Sequence, residues 1–344
     1  MKKNKTYIGL ILLAAGLLAG CSGSEGGEDV APATASLGAP KEIRVTSNVC
    51  RRSEGTRTTT YENEVQLRSD NIIVYAYSQN TTTSYLSSTG ETLHYDESDP
   101  ARWKFWNTST STQLHYYWPM PASTGGAWPA LDFFGYMPAA KPAYITVGPA
   151  YTAEHNVTFT CASLPMTNAG QDENLKEFMF AMALGQSYDN AAAGVPLQFQ
   201  HPFTRIKLQL AASHPDITIN SITFKSIKNN GSFTYDHSEA TSTWVPDGDA
   251  VDFVLTLTGD AAVFDDNPAT PVQIGDDYIM IPQDWAGQIG VNASWNDWGD
   301  TPVPHTVTTT LPAITWQSGY SYVYTFYITP EDLVVNLTNF TEQW

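Results

Sequence analysis

From Asn71 onward the chain repeats one device: a short apolar run of period two, closed by Gly, Pro, Asn or Asp. Tyr320, Tyr322, Tyr324, Phe326 and Ile328 line one face of such a run, and Val157, Phe159 and Cys161 line another. Alternation at that period places side chains on the two faces of a β-strand, whereas a helix needs apolar residues three and four apart. Further runs stand at 217–224, 251–257, 278–281, 289–295 and 333–337. Short strands separated by turn residues specify an all-β sandwich, and 344 residues are enough for two of them.

Some stretches are apolar on both faces. Asn71–Tyr77, NIIVYAY, reads as a central strand covered on both sides. Trp103, Phe105, Trp106, Tyr116, Tyr117, Trp118, Trp128, Phe133, Phe134 and Tyr136 form an aromatic cluster. Such density serves either a sandwich core or a sugar-stacking platform. The Phe133-Phe134 pair points to opposite faces and favours core, leaving Trp103 and Trp128 as candidate glycan contacts. In 174–184, NLKEFMFAMAL, the residues Leu175, Phe178, Met179 and Met182 fit a helical stripe. Phe178, Phe180, Met182 and Leu184 fit a strand, which the β-rich surroundings favour. The small polar stretch 186–194, QSYDNAAAG, reads as a domain boundary. Beyond it Leu197 and Phe199 alternate, Pro202 breaks the phase, and Ile206, Leu208 and Leu210 resume on the other parity. That shift marks a bulge or a strand passing between sheets.

The N-terminus carries a different signal. Lys2, Lys3 and Lys5 precede an apolar run from Ile8 to Leu18, too short to span a membrane and suited to a signal peptide. It ends in Leu18-Ala19-Gly20-Cys21, which resembles a bacterial lipobox with Cys21 as the lipid-bearing residue. A plain secretory signal with a coincidental Cys is the alternative. Residues 1–21 are then the leader and 22–40, rich in Gly, Ser and Ala, a flexible tether. A strand follows at 41–50, with Ile43, Val45 and Val49 on one face, and then a polar loop at 51–60 holding Arg51, Arg52 and Arg57. This pair is either an ordinary first strand with its connection or a strand built to be removed.

Charge and chemistry exclude several function classes. A net charge of −18 argues against nucleic acid and against a polybasic hold on a membrane surface. Export permits a disulfide, yet Cys161 sits on the apolar face of its strand as a buried small hydrophobe, and Cys50 adjoins the Arg loop. None of the seven His stands in a metal-ligand spacing, and there is no Gly-x-Ser-x-Gly elbow or phosphate-cradling loop. Asp265-Asp266 and Asp276-Asp277 read as turn-solvating pairs. Asp247-Gly-Asp249 with Asp252 offers oxygen ligands for calcium but lacks the EF-hand pattern. The expectation is no enzyme, no cofactor and no metal.

Several pieces together resemble the fimbrillin-like proteins, the type V pilin superfamily of anaerobic Gram-negative bacteria. They are the lipobox at Cys21, NIIVYAY after an Arg-containing loop, and LDFFGYMP at 131–138. In the second half they are VPLQFQHPFTRIKLQL at 195–210, YIMIPQ at 278–283 and WQSGYSYVYTFYI at 316–328. The resemblance implies two tandem transthyretin-like β-sandwich domains, at 41–190 and 195–344. It implies an outer-membrane lipoprotein trimmed by an Arg-specific protease, which removes the first strand and opens a groove. A strand from a neighbouring fimbrial subunit, of the same or a homologous kind, then fills the groove. Arg57 best matches the cut position, with Arg52 and Arg51 as alternatives; Arg44 lies inside the strand and Arg68 close to the next one. The chain stops soon after the 333–340 run, which leaves room for a tip or accessory subunit. The rival reading is a surface glycan-binding lipoprotein.

Overall fold

The computed structural model describes residues 40–49, 64–79, 81–98, 102–123, 126–148, 156–171, 177–190, 192–212, 217–259, 271–285, 287–295, 301–328 and 333–343. Cys21, Cys50, Arg51, Arg52, Arg57 and the Asp265-Asp266 pair lie outside these residues. The first strand is β1 (Val45–Val49), followed by a single-turn helix, α1 (Glu64–Leu67), and β2 (Ile72–Ser78). Next come β3 (Glu91–Asp96), β4 (Arg102–Asn107), β5 (Thr112–Gln113), β6 (Leu131–Met137), β7 (Ile145–Val147), β8 (Asn156–Cys161) and β9 (Met179–Gln186). Then follow β10 (Val195–Gln200), β11 (Thr204–Ala212), the long β12 (Thr218–Asp236) and β13 (Thr241–Thr256). Short β14 (Val272–Gln273), β15 (Tyr278–Met280) and β16 (Asp284–Trp285) lead to β17 (Gln288–Trp295) and β18 (Val303–Thr310). The last are β19 (Ile314–Thr315), β20 (Tyr320–Ile328) and β21 (Leu333–Gln343). The protein is all-β, as the alternation requires, and the ambiguous 174–184 stretch is strand β9 where it is described.

The first sheet runs β1-β10-β9-β6-β2-β3-β4-β5, and a further pairing of β1 with β4 curls it back on itself. Its inner face encloses one core: Ile72, Val74 and Ala76 from β2, Phe133 and Met137 from β6, Met179 and Ala181 from β9, and Leu197 and Phe199 from β10. The second unit has two facing sheets, β14-β11-β20-β21 and β18-β17-β12-β8-β7. Between them Ile206, Leu208, Tyr324 and Phe326 meet Ile222, Phe224, Leu255, Val291 and Trp295.

A third cluster joins the units. The outer faces of β2, β6 and β9, with Phe178 just ahead of β9, present Tyr75, Tyr77, Phe134, Tyr136 and Phe180 to Val157, Phe159 and Cys161 of β8 and Phe233 and Tyr235 of β12. NIIVYAY and LDFFGYM are apolar on both faces for this reason. β12 reaches both cores because register shifts between Phe224 and Ile227, and between Lys228 and Asn230, change which residues face inward along its length.

The structure corrects the boundary expected at 190–195. β10 lies beyond that point yet completes the first sheet, and β8 lies before it yet pairs with β12. The small polar stretch is only the connection from β9 to β10. The crossing between units comes instead at the phase break: Leu197 and Phe199 enter the first core, and Ile206 and Leu208 enter the second. Asp277 is a second correction. It is buried, not turn-solvating, with Lys207 Nζ at 3.3 Å and Arg205 Nη1 at 3.6 Å from Oδ2, while Arg205 Nε donates to Ser321 Oγ at 2.7 Å. Carboxylates enter an interior when cations and donors come with them, and the alternation of β11 brings Arg205 and Lys207 to one face.

Cys161 is a free thiol in the third cluster, and burial pushes its pKa up to about 12. A thiol so placed holds almost no thiolate near neutrality and has little reactivity. Peptide mapping after alkylation at pH 8 will find Cys161 unmodified in the native protein and modified in guanidinium; prompt native labelling would contradict its placement.

Candidate functional site

The site starts from β1. Its burial alternates strictly, with Val45, Ser47 and Val49 inward, and Ile43 continues that face upstream. β-Branched Val, Ile and Thr suit an extended backbone, and alternation turns one face into the core. β1 pairs in parallel with β10 over five positions, Val45↔Val195 to Val49↔Phe199. On its other side it touches β4 in antiparallel fashion at Val45↔Trp103. Gly194, at φ +81, makes the tight approach possible: a Cβ there would stand 3.3 Å from the Arg44 carbonyl oxygen, which accepts the Val195 N–H at 2.7 Å.

Residues just upstream add polar anchorage. Trp118 N donates to Lys41 O at 3.0 Å, and Ile43 N donates to Tyr116 O at 2.8 Å. The Glu42 carboxylate lies 2.7 Å from His115 Nδ1 and 3.7 Å from Arg102 Nη2. Lys41 Nζ sits 4.1 Å above the Tyr188 ring, whose centroid is 3.7 Å from that of Trp128 at an interplanar angle of 8°. Within the groove, Trp103 Nε1 donates to Ser47 Oγ at 2.7 Å.

Ile43, Val45 and Val49 are thus brought together as expected from their alternation. The two tryptophans are not the open platform proposed for a glycan. Trp103 is 4% exposed and bonded to β1, and Trp128 is half-buried with Tyr188 stacked on it. Nothing in the sequence distinguishes an indole reserved for a sugar from one that binds a strand hydroxyl across 56 residues. The roles of Ser47, Lys41 and Glu42 were missed for the same reason. Downstream, Leu67 of α1 enters the first core, and the Arg68 guanidinium lies 4.4 Å above the Tyr95 ring.

Other polar groups offer no second centre of this kind. Asp252 Oδ1 accepts the Ser226 N–H of β12 at 3.0 Å, and Asp247 Oδ1 accepts the Gly248 N–H at 2.6 Å, so both carboxylates are engaged within the β12–β13 ladder. Among the described residues no three His, Cys, Asp or Glu side chains converge to hold a metal. A cleft of about 640 Å³ lies beside the β12–β13 hairpin, with Gln200, Tyr235, Trp244, Gln317 and Tyr320 on its walls. The Trp244 N–H there is already donated to Pro202 O at 2.7 Å.

The profile of the family described as Fimbrillin-like matches residues 56–344. The chain belongs to the fimbrillin-like family. Membership makes it a structural fimbrial subunit of the cell surface, of a kind that assembles with other such subunits. No curated protein matches it by sequence. Its fold is similar to that of a fimbrial protein from Bacteroides vulgatus, at TM-score 0.59 and 13% identity, over 88% of this chain and 100% of the other. It is also similar to a proposed cell adhesion protein from Bacteroides uniformis, at 0.52 and 12%, over 88% and 98%. A proposed cell adhesion protein from Bacteroides ovatus aligns at 0.50 and 17%, over 89% and 98%.

A buried N–H that loses its acceptor costs about 1–3 kcal/mol. Ser47→Ala in this fimbrillin-like chain is therefore expected to destabilise it by roughly that amount in denaturant unfolding. In a double-mutant cycle with Trp103→Phe the two losses should fall short of additivity, because both remove one bond. Additive losses would show that the Ser47–Trp103 contact contributes nothing.

Proposed function

We propose that this fimbrial subunit is exported as a lipoprotein through Cys21 and matured by an Arg-specific protease. The cut falls after Arg57, with Arg52 and Arg51 as alternatives. It frees β1 and everything upstream, and the vacated groove takes a strand from another fimbrial subunit. The fimbrium so built supports adhesion, the role proposed for the Bacteroides uniformis and ovatus neighbours in fold.

The observation that carries this reading is the seat of β1. The strand closes the first sheet between β10 and β4, and the stretch joining it to α1 holds Arg51, Arg52 and Arg57. Ile43, Val45 and Val49 contribute roughly 1.5–3 kcal/mol each by burial, offset by the cost of ordering the segment. While the connection is whole, β1 redocks at an effective concentration on the order of mM. A cut replaces that by dilution of a free piece, so a modest net affinity no longer holds it. Its departure leaves apolar side chains and two sheet edges open, which is the arrangement that recruits a strand. The family match begins at residue 56, beside Arg57 and downstream of β1.

The neighbouring arginines support the choice of site. The Arg44 carbonyl is held by Val195, and Arg68 is stacked on Tyr95, so neither offers a protease a free extended segment. Limited digestion with an Arg-specific protease, read by intact mass, is expected to give one early cut after Arg57 and a stable C-terminal product. Arg57→Ala should move the cut to Arg52 or Arg51 and slow it. Early cutting at Arg102 or Arg205, or digestion of the whole fold, would contradict the proposal.

A further inference from the structure

β1 leaves a chemical imprint as well as an apolar one. Of the four inward positions at 43, 45, 47 and 49 three are aliphatic, but Ser47 is polar, 7% exposed, and supplies the acceptor for Trp103 Nε1. An aliphatic residue in its place would leave that N–H buried and unmet, and a larger one would also crowd the indole. Ahead of the first inward residue, the body of the protein meets Glu42 with His115 and Arg102, and meets Lys41 with the face of Tyr188. Charge pairing and cation–π attraction both select sign. Lys41, Glu42 and Ser47 all lie upstream of Arg57, so a cut there removes them, while Trp103, His115, Arg102 and Tyr188 remain.

We propose that the groove selects its occupant by this chemistry. It takes a strand running parallel to β10, with a basic residue and then an acidic one ahead of three apolar inward positions, and a small hydroxyl residue in place of Ser47. The inference rests on the proposed displacement of β1 and names the partner that displacement serves. This chain's own β21 does not meet the pattern. In its best register Val335 and Leu337 take the places of Ile43 and Val45, but Asn339 falls at Ser47 and Thr341 at Val49. Leu333 and Val334 then stand where Lys41 and Glu42 make their polar contacts. A shift by two residues puts Leu337 against Trp103. The occupant is therefore a strand of a different subunit, not the 333–343 strand of a second copy.

The uncut full-length chain tests this independently of any protease. Amide hydrogen exchange at 45–49 should be near the native rate in Ser47→Thr and faster by about tenfold or more in Ser47→Ala and Ser47→Val, corresponding to one lost buried contact. Replacing residues 41–49 by the sequence of 333–341 should abolish their protection, and restoring Lys41, Glu42, Ser47 and Val49 within that replacement should recover it. Unchanged exchange at β11 and β20 certifies that the rest of the chain is folded. Undiminished protection in Ser47→Val, or in the 333–341 replacement, would overturn the proposal. A chain that passes these tests but keeps β1 after Arg-specific cleavage would instead defeat the maturation scheme and leave the groove chemistry standing.

Discussion

Three strands, β2, β6 and β9, are buried on both faces, and the rest of the molecule is arranged to cover them. Their inner face closes round one core and their outer face packs on β8 and β12. A sheet in that position needs two covers, since apolar surface on either side is costly to leave wet. The outer cover is supplied by a hairpin from the second unit, whose long strand enters two cores. The inner core is sealed by β1, which belongs to neither neighbouring strand in sequence and comes from upstream of the Arg-bearing stretch.

That division separates the strands that hold the fold from the one that the proposed maturation removes. β12 pairs with β8, β13 and β17, so pulling it away would break both units. β1 has one continuous ladder, on β10, and a single paired position on β4. Its polar anchors are few and specific: Ser47 on Trp103, Glu42 on His115 and Arg102, Lys41 on Tyr188. Such a strand covers the first core at one place, and the proposed maturation would uncover one groove. The buried Arg205–Asp277–Lys207 group lies in the second unit, away from that groove, and fixes β11 beside β20.

Much of this was legible in the residues. Runs apolar on both faces marked β2 and β6 as central, and the parity change across Pro202 marked the passage from β10 to β11. The domain limit was misread because a short polar connection and a linker have the same composition, and only pairing shows that β10 returns to the first sheet. Asp277 was misread because its partners Arg205 and Lys207 are distant in sequence. Trp103 suffered likewise: a tryptophan's neighbours, not its type, decide whether it faces a ligand or a strand. The inward face of β1 was visible as Ile43, Val45 and Val49, but its parallel sense and the part played by Ser47 depend on where β10 and β4 stand.

The central claim is that β1 alone seals the first core and can leave without the fold. Amide exchange along β10, measured before and after Arg-specific cleavage and removal of the N-terminal piece, tests it directly. The Val195, Leu197 and Phe199 amides, which face β1, should lose protection while β11, β17 and β20 keep theirs. Full retention of protection along β10, or its loss throughout the chain, would contradict the account.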